Sequence, residues 1–522
     1  MVLGGVRKEI NITVSPKQAS DERFYRSLVA KKIGIKEGRI KGMNVKRRSV
    51  DARKRNIRVN LGIEVFVDEQ LVKNHHPEFD YPNVASKDPV IIVGAGPAGL
   101  FAALRLIELG FKPVVVERGK DVSARKRDIA AIHTKQIVDP DSNYGFGEGG
   151  AGTFSDGKLF TRSKKRGNVK KILEVFFFHG ASEDILIEAH PHIGTNLLPK
   201  IITNIREQIK VSGGEVHFHS RVADLIVEND RCKGVILNSG DKLEGKAVIL
   251  ATGHSARDIY RLLFEKGLML EPKAFAMGVR VEHPQELIDR IQYHGSSRGE
   301  YLPAAAYSFI EQVAGRGVYS FCMCPGGYIV PAATAPGEML VNGMSPSARN
   351  GHFANSGIVV EIRPEDLPGY KKFGQFAGLQ FQSEIEKLCF FQSGHTQFAP
   401  AQRLDDFIHD RFSSSLPKTS YHPGTVASSM HEWLPQQIRF RLQQGFTQMG
   451  KKAYGFVTNE AVIMGVESRT SSPVRIPRNP ETLEHVQLKG LFPCGEGAGY
   501  AGGIVSSAVD GERCAGMVAK IL

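Results

Sequence analysis

The sequence has few cysteines and no long uninterrupted apolar run. Six cysteines in 522 residues, without the close pairing of small secreted domains, do not form a disulfide framework and indicate a reducing compartment. The longest apolar stretch, residues 90–110, is rich in glycine and contains Arg105, so it predicts a strand, a turn and a helix instead of a membrane span. A secretory signal pattern is absent from the N-terminus. We therefore expect a cytoplasmic protein.

Acidic residues are fewer than basic residues, and the difference is uneven along the chain. The formal net charge is +13, from 68 Lys and Arg against 55 Asp and Glu. Residues 1–80 alone hold 18 basic and 10 acidic side chains. Such an imbalance is typical of a solvated basic face, or of a surface for RNA, an anionic membrane or an acidic protein partner.

The chain is too long for one compact core, which predicts several domains. Residues 1–80 read as a small basic α+β domain, with a period-two strand over residues 9–14 and a helix from Asp21 to Gly34. Two further strands are expected near residues 40–48 and 57–67. Residues 81–88 form a linker. Residues 89–270 and 456–522 then form one discontinuous α/β domain, and residues 271–455 form an inserted domain. Within the α/β part, residues 216–219, 225–228 and 234–237 suggest a meander.

A glycine motif begins the α/β part. Gly94-Ala95-Gly96-Pro97-Ala98-Gly99 follows an aliphatic strand and precedes an apolar helix, which is the context that the GxGxxG pattern requires. Gly94 permits a tight turn, Gly96 lets the backbone approach a pyrophosphate, and Gly99 lets the helix pack closely on the strand. Glu117 ends the next strand at the spacing expected for a carboxylate on ribose hydroxyls. The motif predicts a dinucleotide site in a Rossmann-type domain.

Two later segments separate FAD from NAD as the dinucleotide. A buried strand ends in Ala251-Thr252-Gly253, and a late strand ends in Gly495-Glu496, followed by Gly502-Gly503-Ile504. With the first motif, these segments resemble the glutathione-reductase-like superfamily of FAD proteins. The resemblance implies that Glu496 lies near the ribityl and phosphate portion of FAD. It also implies that residues 502–504 begin a helix beneath the isoalloxazine, where the positive end of the helix dipole stabilises the anionic reduced flavin.

Other segments extend the resemblance over nearly the whole chain. Residues 146–158, 466–475, 343–345 and 49–54 resemble an uncharacterised bacterial family of FAD-dependent dehydrogenases. This resemblance implies non-covalent FAD and a dehydrogenase or reductase activity. The predicted cofactor-binding residues are Gly94, Gly96, Pro97, Ala98, Gly99, Glu117, Arg118, Gly149, Gly152, Thr153, Val222, Ala251, Thr252, Gly253, Gly495, Glu496, Gly502, Gly503 and Ile504.

The predicted fold class is α/β. It comprises a three-layer FAD-binding Rossmann-type domain built from discontinuous segments, an inserted α+β substrate domain and a small N-terminal α+β domain. A second GxGxxG unit for nicotinamide and a CxxxxC pair after the first helix are missing, which argues against disulfide reductases. The only tryptophan, Trp433, does not lie in the motif expected of flavin halogenases. A plan like that of fumarate reductase or geranylgeranyl reductase remains, in which the inserted domain covers the flavin.

Three residues are candidates for catalysis. Arg469 precedes the last FAD segment, where its guanidinium would bind a substrate carboxylate or supply a hydrogen bond; an ion pair with Glu467 is the alternative. Arg349 is the second candidate. Cys324, in Cys322-Met323-Cys324, is the candidate reactive thiol, and buried unreactive thiols are the alternative.

No metal site is predicted from the sequence. The Cys322-Met323-Cys324 pair offers only two ligands, without a matching pair nearby. His190-Pro191-His192 precedes Thr195-Asn196 and a helical run, so a loop or capping role is expected for it.

The leading hypothesis is an FAD-dependent oxidoreductase that transfers hydride between flavin N5 and a small or medium organic substrate of unknown identity. NAD(P)H is a candidate electron donor that would bind transiently. One alternative is a flavin-dependent RNA-modifying enzyme that uses the basic N-terminal domain. Another is a flavin-binding interaction module with a protein partner at the same domain.

Overall fold

The computed structural model describes residues 6–70, 78–161, 166–295 and 297–522. The N-terminal unit is an antiparallel sheet of three strands in the order β1-β3-β2, with a helix packed on one face. The side chain of Asp21 caps the start of that helix, and Gly34, with φ 72°, ends it. The predicted strands and helix of this unit are all present. Its elements are β1 Val6–Val14, α1 Pro16–Ala19, α2 Glu22–Ile33, β2 Ile40–Asp51 and β3 Arg58–Val67.

A mixed α/β region follows. Its strands are β4 Pro89–Val93, β5 Lys112–Val116, β6 Glu215–His217, β7 Val222–Glu228, β8 Arg231–Leu237, β9 Lys242–Glu244 and β10 Val248–Leu250. Its helices are α3 Pro97–Glu108, α4 Val122–Lys135, α5 Val169–Phe178, α6 Asp184–Ile187, α7 Leu198–Val211 and α8 Arg257–Glu265.

The inserted region contributes β11 Glu271–Pro272, β12 Phe275–Pro284, β13 Ile310–Val313, β14 Arg316–Cys324, β15 Tyr328–Pro331, β16 Val341–Met344, β17 Phe353–Ile362, β18 Ala399–Arg403, β19 Thr425–Ala427 and β20 Val462–Glu467. Its helices are α9 Gln285–Gln292, α10 Ala377–Gln392, α11 Leu404–Ile408, α12 Met430–Trp433 and α13 Gln436–Lys452. The chain then returns with β21 Val474–Arg475, β22 Leu491–Pro493 and α14 Ile504–Ile521.

A five-stranded parallel sheet brings the remote motifs together. Its order is β22-β10-β4-β5-β6. Residues 90–93 of β4 are buried, as expected for a parallel strand covered on both faces. Because β10 lies between β4 and β22, the three FAD-like segments end at the same edge of one sheet.

The prediction that residues 216–219 form the first strand of a meander was wrong. β6 pairs in parallel with β5 and is an edge strand of the main sheet, whereas β7, β8 and β9 form the antiparallel meander. Local alternation of apolar residues does not specify the partner strand, and the two assignments therefore look alike in sequence.

The inserted region is built on a seven-stranded sheet in the order β13-β14-β17-β12-β20-β18-β19. β12 and β17 are buried along most of their length, and α10 and α13 contribute to the apolar core around them. β20 pairs with β12, so this sheet continues to residue 467, beyond the expected boundary at residue 455. Among the described residues, no helix has the length and apolarity needed to cross a membrane.

Candidate active site

A cavity of about 370 Å³ lies where the ends of β4, β10 and β22 face the inserted sheet. This volume falls in the range of small-molecule sites, about 300–1,000 Å³. One wall carries the three glycine-containing segments that the sequence motifs identify. Phe321, Cys322, Asn342, Arg469 and Thr470 of the inserted region contribute to the lining. The cavity therefore has residues from both regions of the chain.

The first glycine motif has a distinct structural role at each position. Gly94 has φ 106°, and a Cβ there would lie 2.5 Å from the Ala251 carbonyl oxygen. A Cβ on Gly99 would lie 1.9 Å from the Gly94 carbonyl oxygen. Gly96 caps α3, and a Cβ on it would meet only the Cα of Gly150, at 4.0 Å. The free N–H groups of α3 thus begin at an open surface that fits a diphosphate.

The Glu117 side chain links this glycine motif to the loop after α4 by hydrogen bonds. Its carboxylate accepts hydrogen bonds from the backbone N–H groups of Ala95, Gly119 and Gly147, each at 2.9 Å. Glu117 also lines the cavity, and a carboxylate has lone pairs for a further hydroxyl donor. These contacts fit a ribose at this end of the cavity.

Arg118 occupies the neighbouring wall. Its guanidinium bonds to Asp141 at 2.9 Å and to Asp258 at 3.0 Å, and it lies 4.3 Å from the Phe146 ring centroid. Arg118 and Phe146 both line the cavity. The contacts fix an aromatic ring and a planar cation at this end.

The last FAD-like segment leaves open space at the other end. A Cβ on Gly502 or Gly503 would meet no atom within 4 Å, and Gly503 caps the start of α14. Glu496, Gly502 and Gly503 all line the cavity at this end. The helix start expected at residues 502–504 is present, and Gly502 and Gly503 leave space for a planar group at the N-terminus of α14.

Glu496 and His254 form a partly buried polar pair in the cavity wall. The Nε2 atom of His254 lies 3.6 Å from a carboxylate oxygen of Glu496. Burial raises the pKa of Glu496 to about 7. Burial, reinforced by the charges of Arg469 and Arg257, lowers the pKa of His254 to about 4. At neutral pH the imidazole is therefore neutral, and the carboxyl titrates.

Most predicted cofactor-binding residues line the cavity. Three do not: Gly99, Gly149 and Thr153. Gly99 packs against the turn, as described above. The Gly149 N–H donates to the Ala95 carbonyl at 2.8 Å, and the Thr153 hydroxyl donates to the Glu148 carbonyl at 2.7 Å. The latter two residues support the loop behind the cavity wall.

Arg469 lines the cavity, but most of its donors are already used. Its guanidinium bonds to Glu386 at 2.9 Å, to Glu338 at 2.6 Å and to the Thr334 hydroxyl. Arg257 bonds to the same two glutamates, to Glu338 at 2.9 Å and to Glu386 at 2.8 Å. The expected alternative partner, Glu467, instead pairs with Arg280 at 2.7 Å. Two arginines and two glutamates thus form a buried and balanced network beside the cavity.

The other two catalytic candidates do not line the cavity. Arg349 pairs with Asp156 at 2.6 Å. Cys324 is fully buried, and Cys322 is the cysteine of this pair that faces the cavity. Sequence reasoning also missed His254 and Lys158 as wall residues. His254 directly follows the Ala-Thr-Gly motif, and Lys158 ends a family-like segment, so both carried a usable signal.

The described residues include a group of potential metal ligands, Cys494, Asp510 and Cys514. The Asp510 carboxylate already accepts two hydrogen bonds from Arg478, at 2.7 and 3.0 Å. The positive charge of Arg478 thus already compensates the charge of this carboxylate. His192 bonds to the Ser347 carbonyl at 3.0 Å, which fits the expected loop role.

Several basic side chains of the N-terminal unit form ion pairs with acidic residues of this chain. Arg48 lies 3.2 Å from Glu188 in the α/β region, and Arg53 lies 2.6 Å from Asp51. The first contact attaches this unit to the α/β region. An RNA or protein partner at this surface stays a prediction.

Comparisons with known proteins agree with an FAD site. Residues 87–135 match an FAD-binding domain, residues 274–470 match the family described as "FAD-dependent protein, C-terminal domain-like", and residues 6–66 match a domain of unknown function. A protein of Clostridium beijerinckii, described as uncharacterized, is 39% identical over 506 residues, covering 93% of this chain and 94% of that protein.

More distant similarities were also found. The protein FixC of Escherichia coli K12 is 28% identical over 224 residues, which are 41% of this chain and 48% of FixC. The structure of a geranylgeranyl bacteriochlorophyll reductase-like protein from Thermoplasma acidophilum aligns with a TM-score of 0.35 and 13% identity, over 83% of this chain and 78% of that one.

The predicted cofactor is confirmed by these findings. The matched FAD-binding domain contains the first glycine motif, and the cavity has open glycine positions at both helix N-termini. The prediction of an FAD-dependent oxidoreductase is likewise confirmed. The comparisons do not identify its substrate. The chain belongs to the same family as the uncharacterized protein of Clostridium beijerinckii.

Proposed function

We propose that this FAD-dependent oxidoreductase exchanges hydride between flavin N5 and an organic substrate bound between the FAD-binding region and the inserted sheet. The observation that carries this proposal is the shared cavity wall. Glycine segments of the FAD-binding region line one side, and residues of β14, β16 and the segment after β20 also reach the cavity. The parallel sheet and the separate inserted sheet support the glutathione-reductase-like assignment, with an FAD-binding domain in two segments, an inserted domain and a small N-terminal domain.

The chain holds the dinucleotide by its backbone and by a few fixed side chains. The N-terminus of α3, at Gly96 and Pro97, presents free N–H groups and a positive dipole to the pyrophosphate. Glu117 accepts from the ribose, and Arg118 and Phe146 bound the adenosine end. The N-terminus of α14, at Gly503, would accommodate the isoalloxazine.

Bound FAD supplies two-electron hydride chemistry at N5. The chain's residues around that end exclude water and manage charge. The Arg469 and Arg257 pairs with Glu338 and Glu386 keep four ionic groups in place with no net charge. Arg469 thereby acts as a positioning residue for the segment that carries Thr470. Glu496 can hold or release a proton near neutral pH beside the neutral His254.

The test is the visible spectrum of the purified protein during anaerobic addition of NADH or NADPH. Bands near ~370 and ~450 nm are expected from an oxidised flavin, released as free FAD on denaturation. Rapid bleaching by one nucleotide would identify a nicotinamide-fed reductase. Flavin that neither nucleotide bleaches would indicate reduction by the organic substrate, and metabolite screening would follow. Protein that neither contains nor takes up FAD would contradict the proposal.

A further inference from the structure

Two cysteines are placed together at the cavity wall by a distortion of β14. Strict alternation would put Cys322 and Cys324 on the same face of the strand. The pairing of β14 with β17 is irregular between Phe321 and Cys324, and Cys322 has φ 45°. As a result Cys322 lines the cavity, while Cys324 is buried behind it with 0% exposure.

The Cys324 thiol lies against the backbone of the other cysteine. Its sulfur is 3.2 Å from the backbone oxygen of Cys322. Residues two apart in the chain have Cα atoms about 5–7 Å apart, because each step spans ~3.8 Å. That separation overlaps the range of about 4.4–6.8 Å found in disulfides.

Cationic groups surround this pair. The ammonium of Lys158, itself a cavity residue, donates to the carbonyl of Met323, between the two cysteines. The buried guanidinium of Arg280 lies 3.4 Å from the Cys322 carbonyl. The neighbouring Cys324 thiol, and then the charges of Lys158 and Arg280, lower the pKa of the Cys322 thiol. The neighbouring Cys322 thiol and burial raise the pKa of Cys324. One sulfur is thus suited to be a thiolate, and the other to keep its proton.

We propose that Cys322 and Cys324 form a redox-active dithiol and disulfide pair that exchanges two electrons with the flavin in this cavity. When the dithiol is oxidised, the Cys322 thiolate and the Cys324 sulfur form an S–S bond while the Cys324 S–H bond breaks. The electron pair and that proton pass to the oxidised flavin. The reverse reaction returns both to the sulfurs. The inference rests on the proposed function, since FAD in the cavity is the electron acceptor.

With this pair the protein would have two redox centres, the flavin and the disulfide, each accepting two electrons. This arrangement differs from a CxxxxC pair after the first Rossmann helix, which the sequence lacks. Here both cysteines belong to the inserted sheet, and Cys322 lines the cavity on the side that would hold the substrate. Cys322 is therefore the surface group through which a substrate thiol or disulfide would exchange with the pair.

The experiment is an anaerobic dithionite titration of the FAD-loaded protein after treatment with diamide. Uptake of about four electrons per FAD is expected, two by the cofactor and two by the disulfide. Cys322→Ser and Cys324→Ser should each take up about two electrons. Cys232→Ser is the matched control, because Cys232 on β8 is as buried as Cys324 and does not line the cavity. This variant should still take up about four electrons per FAD.

A second measurement needs no variant. Diamide-treated protein, denatured in acid and labelled with N-ethylmaleimide, should carry no label on the peptide that contains residues 322–324. After dithionite reduction the same peptide should carry two labels. Full labelling before reduction, or uptake of only about two electrons by the parent protein, would overturn the inference and leave the flavin function standing. Absence of flavin bands would instead refute the proposed function, and this inference with it.

Discussion

The imidazole of His254 faces the carboxylate of Glu496 across 3.6 Å in the cavity wall. Burial raises the pKa of Glu496 to about 7 from 4.5. The folded protein therefore holds a proton that the unfolded chain releases at lower pH, and stability should fall as the pH rises from about 4.5 to 7.

The variant Glu496→Gln tests this dependence in protein stripped of FAD. At pH 8 the variant should be more stable by about 1–2 kcal/mol, which allows for the quarter of the side chain that stays exposed. At pH 4.5 it should match the parent. Urea unfolding at both pH values measures the difference, with the exposed Glu460→Gln as the control. An equal pH dependence in all three proteins would exclude Glu496 as the titrating group.

Two alanine substitutions in the first glycine motif should separate binding from folding. A methyl group on Gly96 enters open space at the α3 N-terminus, so Gly96→Ala should fold normally and lose most of its FAD. A methyl group on Gly99 would overlap the Gly94 carbonyl, so Gly99→Ala should lower the thermal unfolding midpoint as well. Flavin content and circular dichroism melting report the two effects. A Gly96→Ala protein with full FAD content would contradict the assignment of the pyrophosphate site.

Arg469→Gln should destabilise the protein, because it leaves Arg257 as the one guanidinium paired with Glu338 and Glu386 among the described residues. Removal of one partner from a buried ionic group costs about 3–5 kcal/mol. The double variant Arg469→Gln, Glu338→Gln removes the unpaired carboxylate and should recover part of that loss.

Urea unfolding of the holoprotein measures this series. Arg127→Gln, at an exposed position on α4, is the control and should change stability by less than about 0.5 kcal/mol. If Arg469→Gln were as stable as the parent but inactive, Arg469 would contact the substrate, as the sequence first suggested.

Local features of the sequence were sufficient to predict the FAD-binding half of the site. Gly94 and Gly96 act through their own backbone, and the spacing to Glu117 follows from one strand, one helix and one more strand. These constraints lie within about 25 residues, where turn chemistry and periodicity are informative. The later Ala-Thr-Gly and Gly-Glu segments joined them because each ends a buried strand.

The substrate-facing half depended on tertiary structure. Arg469 finds its partners 83 and 131 residues away, on α10 and near β16, and no local pattern encodes that choice. The sequence also could not show that Cys322, and not the predicted Cys324, lines the cavity. Sequence alternation treats the two cysteines alike, whereas an irregular pairing of β14 with β17 turns one toward the cavity and buries the other. The sequence determined the cofactor through short-range backbone geometry, and strand register decided which side chains meet it, because register depends on partners distant in the chain.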